Sequence, residues 1–328
     1  MILVTGGTGL VGAHLLYELV KKGEKVRAIY RDRSKVDALR TFPFYNDEGL
    51  FNKIEWIQAD ILDIPALNEA FKDVTHVYHS AAFISFNPKD YKKLRRINTE
   101  GTANIVNMCI ASKIEKLCYV STIGAIGNTI DGSEITEETI WNPEAHNNVY
   151  ALTKYGAEME VWRGTQEGLK SVIVNPGIIL GAGFWKSASG SIFTKVKNGL
   201  YFYPPGGTGF VDVKDVADIM IQLMKSDINN ERYITIAENL HYKKVLYDIA
   251  EELNVKPPKL RISPWVLKIL WRLDWFVSIF RNKRMLTKAN VISISQDKFY
   301  TNEKIKKDLN FTFRPVKKTI SEISSNLK

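Results

Sequence analysis

The chain has 328 residues, of which 45% are hydrophobic and 25% charged, an ordinary composition for a globular protein with one α/β domain and a smaller lobe. Its net charge is +9, but the basic residues are dispersed among acidic ones and no nucleic-acid-binding module accompanies them, which argues against a nucleic-acid partner. No run reaches the roughly 18 uncharged apolar residues that a membrane-spanning helix needs.

The two cysteines, Cys109 and Cys118, both lie in apolar surroundings, so we predict buried free thiols rather than a disulfide or metal ligands. Such thiols suit a reducing compartment. The chain opens with a strand-like run over residues 1–5, which leaves no room for a signal peptide. We therefore expect a cytoplasmic protein without a metal site.

In the first half of the chain, short apolar runs alternate with longer helical patterns. Six strand-like runs precede residue 176: MILVT, KVRAIY, KIEWIQA, THVYHSA, KLCYVST and KSVIVNP. Helical patterns between them cover about residues 10–22, a short stretch near 35, and residues 65–71, 91–112 and 148–166. This alternation predicts an α/β fold, a doubly wound parallel sheet with helices on both faces, as in dinucleotide-binding proteins.

After residue 176 the regular alternation ends. Gly- and Pro-rich loops come first, then a helical pattern near Val213, then an aromatic-rich C-terminal third. Substrate-binding lobes are usually built from such late, irregular segments. We predict a dinucleotide-binding domain over residues 1–175, joined again by part of 211–240, and a discontinuous substrate-binding lobe from residues 176–210 and 241–328.

A glycine-rich turn, TGGTGLVG, lies between the first strand and the first helix, where a dinucleotide fold binds pyrophosphate. Gly6 would make the tight turn, Gly9 would let the backbone approach the phosphates, and Gly12 would allow close packing of helix and strand. The helix N-terminus offers free N–H groups to the anion. We predict cofactor contacts from six residues here: Gly6, Thr8, Gly9, Leu10, Val11 and Gly12.

The end of the second strand distinguishes NAD from NADP, because a carboxylate there binds a ribose 2′-hydroxyl whereas an arginine pairs with a 2′-phosphate. This strand ends on Tyr30 and Arg31, with Arg33 and Lys35 close behind. A shift of one residue would instead bring Asp32 to the ribose. The sequence favours NADP(H) as cofactor and leaves NAD(H) open.

Tyr150 and Lys154 are four residues apart in a predicted helix, so both side chains can face the same cleft. A nearby ammonium group favours ionisation of a phenol and would lower the pKa of Tyr150 toward the working pH. Tyr150 could then serve as general acid for a carbonyl oxygen and as base for an alcohol. At the end of the fifth strand, Ser121 or Thr122 could hydrogen-bond the substrate oxygen.

Together these motifs resemble the extended short-chain dehydrogenase/reductase family, in which a Rossmann-type domain carries a small C-terminal substrate lobe. Further stretches match the family in order, and the resemblance implies cofactor contacts from Asp60, Ile61, Ser80, Ala81, Ala82, Pro176 and Gly177. Asn98 and the FVDVKDVA segment match two of its helix motifs. In the family's strand-five motif, Thr122 falls on the catalytic hydroxyl. Ile123 and Gly124 replace the acidic pair that dehydratases use, which argues against dehydration.

Within the family, the VRAIYRDRSK and VNPGIILGAG segments are similar to dihydroflavonol reductases and related carbonyl reductases. That similarity implies that NADPH donates hydride to a carbonyl carbon while Tyr150 protonates its oxygen and Lys154 holds the nicotinamide ribose. An NAD-dependent nucleotide-sugar epimerase and a non-catalytic NADP(H)-sensing protein remain alternatives. The resemblance also implies a homodimer paired through the helices at 91–112 and 148–166.

An aromatic segment, PWVLKILWRLDWFVSIFRNKR, covers residues 264–284. Its interspersed charges argue against a membrane span. We interpret it first as a helix that lines or covers the pocket of a bulky, apolar small-molecule substrate. A subunit contact and a helix lying in a membrane surface are the alternatives.

Overall fold

Seven parallel strands form the main sheet of the computed structural model, which describes residues 1–40, 42, 48–129, 132–145, 147–187, 189–263, 265–267, 269, 271, 272, 274, 275 and 287–327. The strands are β1 (Ile2–Thr5), β2 (Val26–Tyr30), β3 (Ile54–Gln58), β4 (His76–His79), β5 (Lys116–Val120), β6 (Ser171–Pro176) and, later in the chain, β10 (Glu231–Thr235). Their order is β10-β6-β5-β4-β1-β2-β3. The predicted doubly wound α/β fold is confirmed, and its strand order reverses between β1 and β4, where such folds bind their ligands.

Helices cover both faces of this sheet. On one face, α1 (Leu10–Lys21) and α9 (Val213–Lys225) pack their apolar stripes against the strands. On the other face lie α4 (Ile64–Ala70), α6 (Gly101–Ala111) and α7 (Val149–Gln166). With both faces covered, the strands are buried and nearly continuously apolar. Two short helices, α2 (Arg33–Leu39) and α3 (Glu48–Phe51), connect β2 to β3.

The helix predicted over residues 91–112 is interrupted. A short α5 (Tyr91–Leu94) runs into a π-helical turn at Arg95–Glu100 before α6 begins. Such turns are uncommon, and they occur mostly at functional sites because the inserted residue changes which side chains face inward. Here the turn presents the buried Asn98 toward the C-terminal edge of the sheet.

The smaller unit is built around a three-stranded sheet, β11-β9-β7, formed by β7 (Ile178–Leu180), β9 (Gly207–Asp212) and β11 (Glu238–His241). A second, two-stranded sheet pairs β8 (Phe202–Tyr203) with β12 (Leu260–Arg261). Helices α8 (Gly190–Lys197), α10 (Tyr242–Glu252) and α13 (Val316–Leu327) close a separate core around Phe193, Phe210, Ile249 and Ile320.

The C-terminal third also returns to the main sheet. After α11 (Lys288–Ser295), helix α12 (Glu303–Leu309) places Ile305 in the core that α1 and α9 share. The hydroxyl of Tyr233 in β10 donates to Asp308 across 2.8 Å. The predicted division into 1–175 with part of 211–240, and 176–210 with 241–328, remains a prediction of the sequence. Among the described residues, no helix is long and apolar enough to cross a membrane.

Candidate active site

The glycine turn after β1 is as tight as the sequence predicts. Gly6 has a positive φ of 71°, and Gly9 donates a backbone hydrogen bond to the oxygen of Gly6 across 2.9 Å. A Cβ on Gly12 would lie 2.2 Å from that same oxygen, so α1 can start here only with glycine at this position. No side chain caps α1, which leaves the N–H groups of its first turn, including those of Leu10 and Val11, available to an anion.

One cleft collects most of the predicted cofactor contacts. Nine predicted residues line it: Gly6, Thr8, Gly9, Tyr30, Arg31, Ile61, Ser80, Ala81 and Ala82. Leu10, Val11 and Gly12 belong to the adjoining first turn of α1, and Asp60 lies beside Arg31. Lys35, which the sequence analysis named beside Arg31 without assigning it to the cofactor, also lines the cleft, and the sequence argument missed three apolar lining residues, Ile29, Ala59 and Ile97. Each of the three adjoins in sequence a residue that the analysis named: Tyr30, Asp60 and Asn98.

At the end of β2, where the ribose 2′-position of the cofactor is predicted to lie, the basic residues and Asp32 have different surroundings. Arg31 and Lys35 line the cleft, and an Arg31 guanidinium nitrogen lies 3.7 Å from an Asp60 carboxylate oxygen. Asp32 instead caps α2, where its carboxylate accepts bonds from the backbone N–H and the hydroxyl of Ser34 at 3.0 and 2.6 Å. These bonds lower the pKa of Asp32. The carboxylate is therefore already engaged in capping the helix.

A buried histidine fixes the loop that faces the glycine turn. Thr102 donates to the oxygen of Asn98 across 2.6 Å, so its hydroxyl oxygen accepts from Nε2 of His79 at 2.9 Å. Nδ1 of His79 then accepts from the hydroxyl of Thr5 at 2.6 Å, and that hydroxyl accepts from the N–H of Ala81. Burial lowers the pKa of His79 to about 3, which keeps the ring neutral.

The same loop packs tightly against the turn. The Ser80 hydroxyl donates to the oxygen of Thr5 across 2.7 Å. A Cβ on Gly6 would lie 2.6 Å from the nitrogen of Ala81. In this structure the Ser80 side chain therefore holds the backbone of its loop against the glycine turn.

The predicted catalytic pair lies at the start of α7, whose first turn is capped by Asn148 through a 2.8 Å bond to the N–H of Ala151. Lys154 is buried, and its ammonium group donates to the phenol oxygen of Tyr119 at 2.5 Å and to the carbonyl of Val120 at 2.8 Å. Desolvation lowers the pKa of Lys154 to about 7. Tyr150 packs edge-on against Phe86, with ring centroids 5.8 Å apart.

The expected direction of the Tyr150 pKa is wrong for this structure. Burial raises the pKa of the phenol above its ordinary value. The physical reason is that desolvation disfavours the phenolate, while the ammonium of Lys154 is bonded to Tyr119 and Val120. Tyr150 is consequently protonated at neutral pH, the form that a general acid requires.

Thr122 follows directly on β5 and caps a short 3₁₀ turn, its hydroxyl accepting from the N–H of Gly124 at 3.2 Å. It is partly exposed, whereas the neighbouring Ser121 is buried. On the far side of the sheet edge, Pro176 ends β6 and Gly177 packs so closely that a Cβ would lie 2.3 Å from the oxygen of Gly209. The predicted nicotinamide-side loop is therefore held firmly by the smaller unit.

Residues 2–237 match the model of the NAD dependent epimerase/dehydratase family. The chain belongs to this family. It is an NAD(P)-dependent enzyme of the short-chain dehydrogenase/reductase type, as the sequence motifs predict.

Two relatives are similar in sequence to most of this chain. Sterol demethylase protein B of Methylococcus capsulatus is 30% identical over 268 residues, covering 81% of this chain and 78% of that protein. A candidate dihydroflavonol 4-reductase of Synechocystis sp. is 28% identical over 326 residues, covering 97% and 92%. The predicted resemblance to dihydroflavonol-reductase-like members of the family is confirmed.

Solved structures of the family extend the similarity to the fold. The crystal structure of gox2253 has a TM-score of 0.82 at 26% identity and covers 100% of this chain and 97% of that one. A UDP-glucose 4-epimerase of Thermotoga maritima, solved with UDP-glucose, has a TM-score of 0.78 at 18% identity, with 99% and 98% covered. At that identity the epimerase shows the shared fold alone.

Behind α7 lies a buried polar network that the sequence argument missed. Glu158, one turn beyond Lys154, is fully buried and accepts from the side-chain amide of Asn175 at 2.5 Å. That amide also donates to the oxygen of Thr122 at 3.1 Å, and an Arg232 guanidinium nitrogen lies 3.5 Å from Glu158. Burial raises the pKa of Glu158. In the sequence Glu158 reads as an exposed helix residue, because its partners come from β6 and β10.

A second missed feature lies on the substrate side. Asn98 in the π-helical turn accepts from the N–H of Phe83 at 2.8 Å and donates to its carbonyl at 3.0 Å. The anchored loop then presents Phe86, which is 47% exposed, beside Tyr150, and Ile84 on the same loop is 60% exposed. No spacing rule connects this loop to the catalytic helix.

The aromatic segment is described only in part. Trp265 and Trp275 are 69% and 53% exposed, whereas Leu267 is buried. Lys268, Phe276 and Phe280, with the Arg-Asn-Lys-Arg end of the segment, lie outside the described residues. Its proposed role as a pocket cover remains a prediction.

Proposed function

We propose that this protein is an NADP-dependent reductase of aldehydes or ketones. The observation that carries the proposal is the arrangement at the end of β2, where Arg31 and Lys35 line the cofactor cleft while Asp32 caps α2. A guanidinium and an ammonium group there favour a 2′-phosphate over a bare hydroxyl. The names of the reductase relatives support the same reaction class.

The residues present fit a dinucleotide cofactor. The glycine turn leaves the backbone at the start of α1 open to close approach by a pyrophosphate. Gly9 and the backbone N–H groups of Leu10 and Val11 would hold the phosphates, Arg31 the 2′-phosphate, and Lys154 the nicotinamide ribose. When bound, the reduced nicotinamide supplies a hydride to the carbonyl carbon.

The chain's own residues handle the oxygen of the substrate. Tyr150, which is protonated at neutral pH, donates its proton to the carbonyl oxygen, which leaves an alcohol and a phenolate. The ammonium of Lys154 stabilises that phenolate through its charge. The hydroxyl of Thr122 orients the carbonyl oxygen toward Tyr150.

The substrate we propose is bulky and apolar. Phe86 places exposed apolar surface beside the general acid, and Ile84 exposes more of it on the same loop. Such surface near a catalytic group favours an apolar ligand. The names of the two relatives, which concern a sterol and a dihydroflavonol, support a substrate of this size.

We also propose that the protein forms a homodimer through α6 and α7. Leu152 and Met159 on α7 are 37% and 38% exposed, and a spacing of seven residues brings them to one face of the helix. Sedimentation velocity of the intact protein measures this directly, and a single monomer-sized species at all concentrations would contradict it.

A test of the function begins with the dissociation constants of NADPH and NADH, measured by fluorescence after any co-purified nucleotide has been removed. We expect tighter binding of NADPH, and Arg31→Asp should abolish that preference because the introduced carboxylate repels the 2′-phosphate. Arg33→Asp is the matched control, since Arg33 packs over the ring of Tyr30 and pairs with Asp37. The oxidation of NADPH is then measured with each compound of a panel of aliphatic and aryl aldehydes and ketones.

The alternative, a nucleotide-sugar epimerase, draws on the fold shared with the solved UDP-glucose 4-epimerase. It predicts NAD that stays bound through purification and turnover of a sugar nucleotide without added cofactor. Equal or tighter binding of NADH, with no carbonyl substrate reduced, would favour that reaction over ours.

A further inference from the structure

The two-stranded sheet of β8 and β12 presents an apolar outer surface. Phe202 and Leu260 are register partners and are 50% and 48% exposed, while Tyr203 beside them is buried in the lobe core. Tyr201, 51% exposed, packs edge-on against Phe202 with ring centroids 5.1 Å apart. Trp265 follows β12 closely along the chain and, at 69%, is more exposed than the other three. We call Tyr201, Phe202, Leu260 and Trp265 the β8–β12 face.

Backbone bonds hold this face in a fixed shape. The N–H groups of Lys259 and Leu260 donate to the oxygen of Tyr201 at 3.0 and 3.2 Å, and Ile262 donates to Tyr203 at 3.0 Å. Tyr203 in turn is packed in the lobe core, which fixes the side on which its neighbour Phe202 projects. The exposed apolar side chains are thus a feature of an ordered sheet.

Every formal charge in the segments that carry the sheet is positive. Residues 190–203 contain Lys195 and Lys197, residues 255–263 contain Lys256, Lys259 and Arg261, and neither segment contains an aspartate or glutamate. All five are exposed. Lys243 at the start of α10 adds a sixth cation, lying over the rings of Tyr203 and Tyr247 at 5.8 and 5.2 Å.

We propose that the β8–β12 face docks on an anionic lipid bilayer surface. Tyrosine and tryptophan place an apolar ring and a polar tip at the boundary between lipid and water. The surrounding lysine and arginine side chains complement anionic headgroups, and their (CH2) stems cover further apolar surface. An apolar centre flanked by the cations of these two segments suits this partner, since a second copy of the chain would bring those cations against their own copies.

The two contributions can be separated experimentally. A basic residue near an anionic membrane surface contributes ~1 kcal/mol, so each charge removed lowers the partition coefficient roughly fivefold. Lys259→Glu with Arg261→Glu should therefore weaken binding by more than tenfold and leave little salt dependence. Phe202→Ser with Leu260→Ser should weaken binding at low and high salt alike, because it removes buried apolar area.

The experiment is co-sedimentation of the full chain with phosphatidylcholine vesicles, with and without phosphatidylglycerol. We expect the unmodified protein to sediment with the anionic vesicles, more strongly at low salt, and both double variants to lose that binding. Two matched controls lie elsewhere on the surface: Ile140→Ser, which removes an apolar side chain that is 85% exposed, and Lys53→Glu with Lys170→Glu. Both controls should sediment as the unmodified protein does.

Absence of the unmodified protein from the anionic pellet at low salt overturns the proposal, as does undiminished binding of both double variants. Concentration-dependent self-association without vesicles, abolished by Phe202→Ser with Leu260→Ser while no vesicle binding occurs, would assign the face to a second copy. Thermal unfolding of each variant checks folding. The charge variant keeps the test decisive if the apolar one unfolds. None of these outcomes depends on the proposed reduction.

Discussion

The ammonium group of Lys154 donates a hydrogen bond to the phenol oxygen of Tyr119, 2.5 Å away, in a fully buried part of the sheet. The same ammonium lies over the Tyr119 ring, 4.3 Å from its centroid, and the ring stacks on His79 with centroids 5.4 Å apart. Tyr119 therefore offers the buried cation both a lone pair and an aromatic face.

Replacing Tyr119 by Phe should separate the hydrogen bond to the phenol oxygen from the contact with the aromatic face. The aromatic face remains, but the ammonium loses one of its acceptors, so we expect the pKa of Lys154 to fall below about 7. An unsatisfied buried donor costs roughly 1–3 kcal/mol in the free energy of unfolding. Urea unfolding at neutral pH measures the loss. Tyr91→Phe on an exposed tyrosine should stay within about 0.5 kcal/mol of the unmodified protein, and equal losses for both variants would refute the account.

Tyr150→Phe should remove the general acid while retaining the packing against Phe86. We expect kcat for carbonyl reduction to fall by roughly 10²–10⁴-fold, the usual contribution of a positioned acid. NADPH affinity should be nearly unchanged, since the glycine turn and Arg31 are intact. Tyr155→Phe is the control, because this tyrosine is stacked on Trp141, with ring centroids 4.4 Å apart. Unchanged turnover of Tyr150→Phe would overturn the mechanism.

The sequence predicted the parts of this site that depend on local spacing. The glycine turn, the Tyr150–Lys154 spacing and the six strands before residue 176 all follow from short-range periodicity, and the sheet confirms the strands. The network of Glu158, Asn175 and Arg232 could not be predicted this way, because it joins a helix to two strands. For the same reason the pKa direction of Tyr150 was wrong, since burial depends on the whole fold.

Glu158 should influence the reaction through Lys154, because its carboxylate raises the pKa of that ammonium against the larger effect of desolvation. Besides Glu158, the titratable groups near Lys154 are Tyr119 and His79 from the sheet. The proposed mechanism needs the protonated ammonium, so kcat/KM should decline as pH rises through the pKa of Lys154. Glu158→Gln keeps the hydrogen-bonding shape and removes the charge, and it should move this decline to lower pH.

A purely structural role for Glu158 would lower activity at every pH without moving the decline. Glu160→Gln is the matched control, since Glu160 lies on the same helix but bonds to Arg163 on its outer side. The measurement is the pH profile of kcat/KM for all three proteins with one carbonyl substrate. Coincident profiles after scaling would contradict the positioning role.

Alanine substitutions at Gly12 and Gly9 should have different effects on stability and on NADPH affinity. A Cβ on Gly12 would lie 2.2 Å from the oxygen of Gly6, so Gly12→Ala must distort the turn and should lower both stability and NADPH affinity. On Gly9 the nearest atom would be 3.3 Å away, so Gly9→Ala should fold nearly normally. Its methyl group would still obstruct the approach of a pyrophosphate. We expect reduced NADPH affinity with a near-normal unfolding midpoint for Gly9→Ala alone, and equal midpoints for both variants would contradict the geometry.

His79 should make stability fall in mild acid. Its pKa in the folded protein is about 3, below the ordinary 6.5, so between these values the unfolded chain binds a proton that the folded chain excludes. The contribution of neutral His79 to the free energy of unfolding is fully present above pH 6.5. It is lost as pH falls, by about 1.4 kcal/mol per pH unit. Protonated Nδ1 could no longer accept from Thr5, which in turn accepts from Ala81 beside the glycine turn.

His79→Asn should remove this one-proton slope from the free energy of unfolding between pH 6 and pH 4, measured by urea titration at several pH values. His14, whose pKa burial lowers to about 4, contributes equally to every variant and leaves the difference unaffected. His76→Asn is the control, because that ring is partly exposed beside Glu115. If His79→Asn and the unmodified protein lose stability in parallel, His79 is not the group that resists protonation.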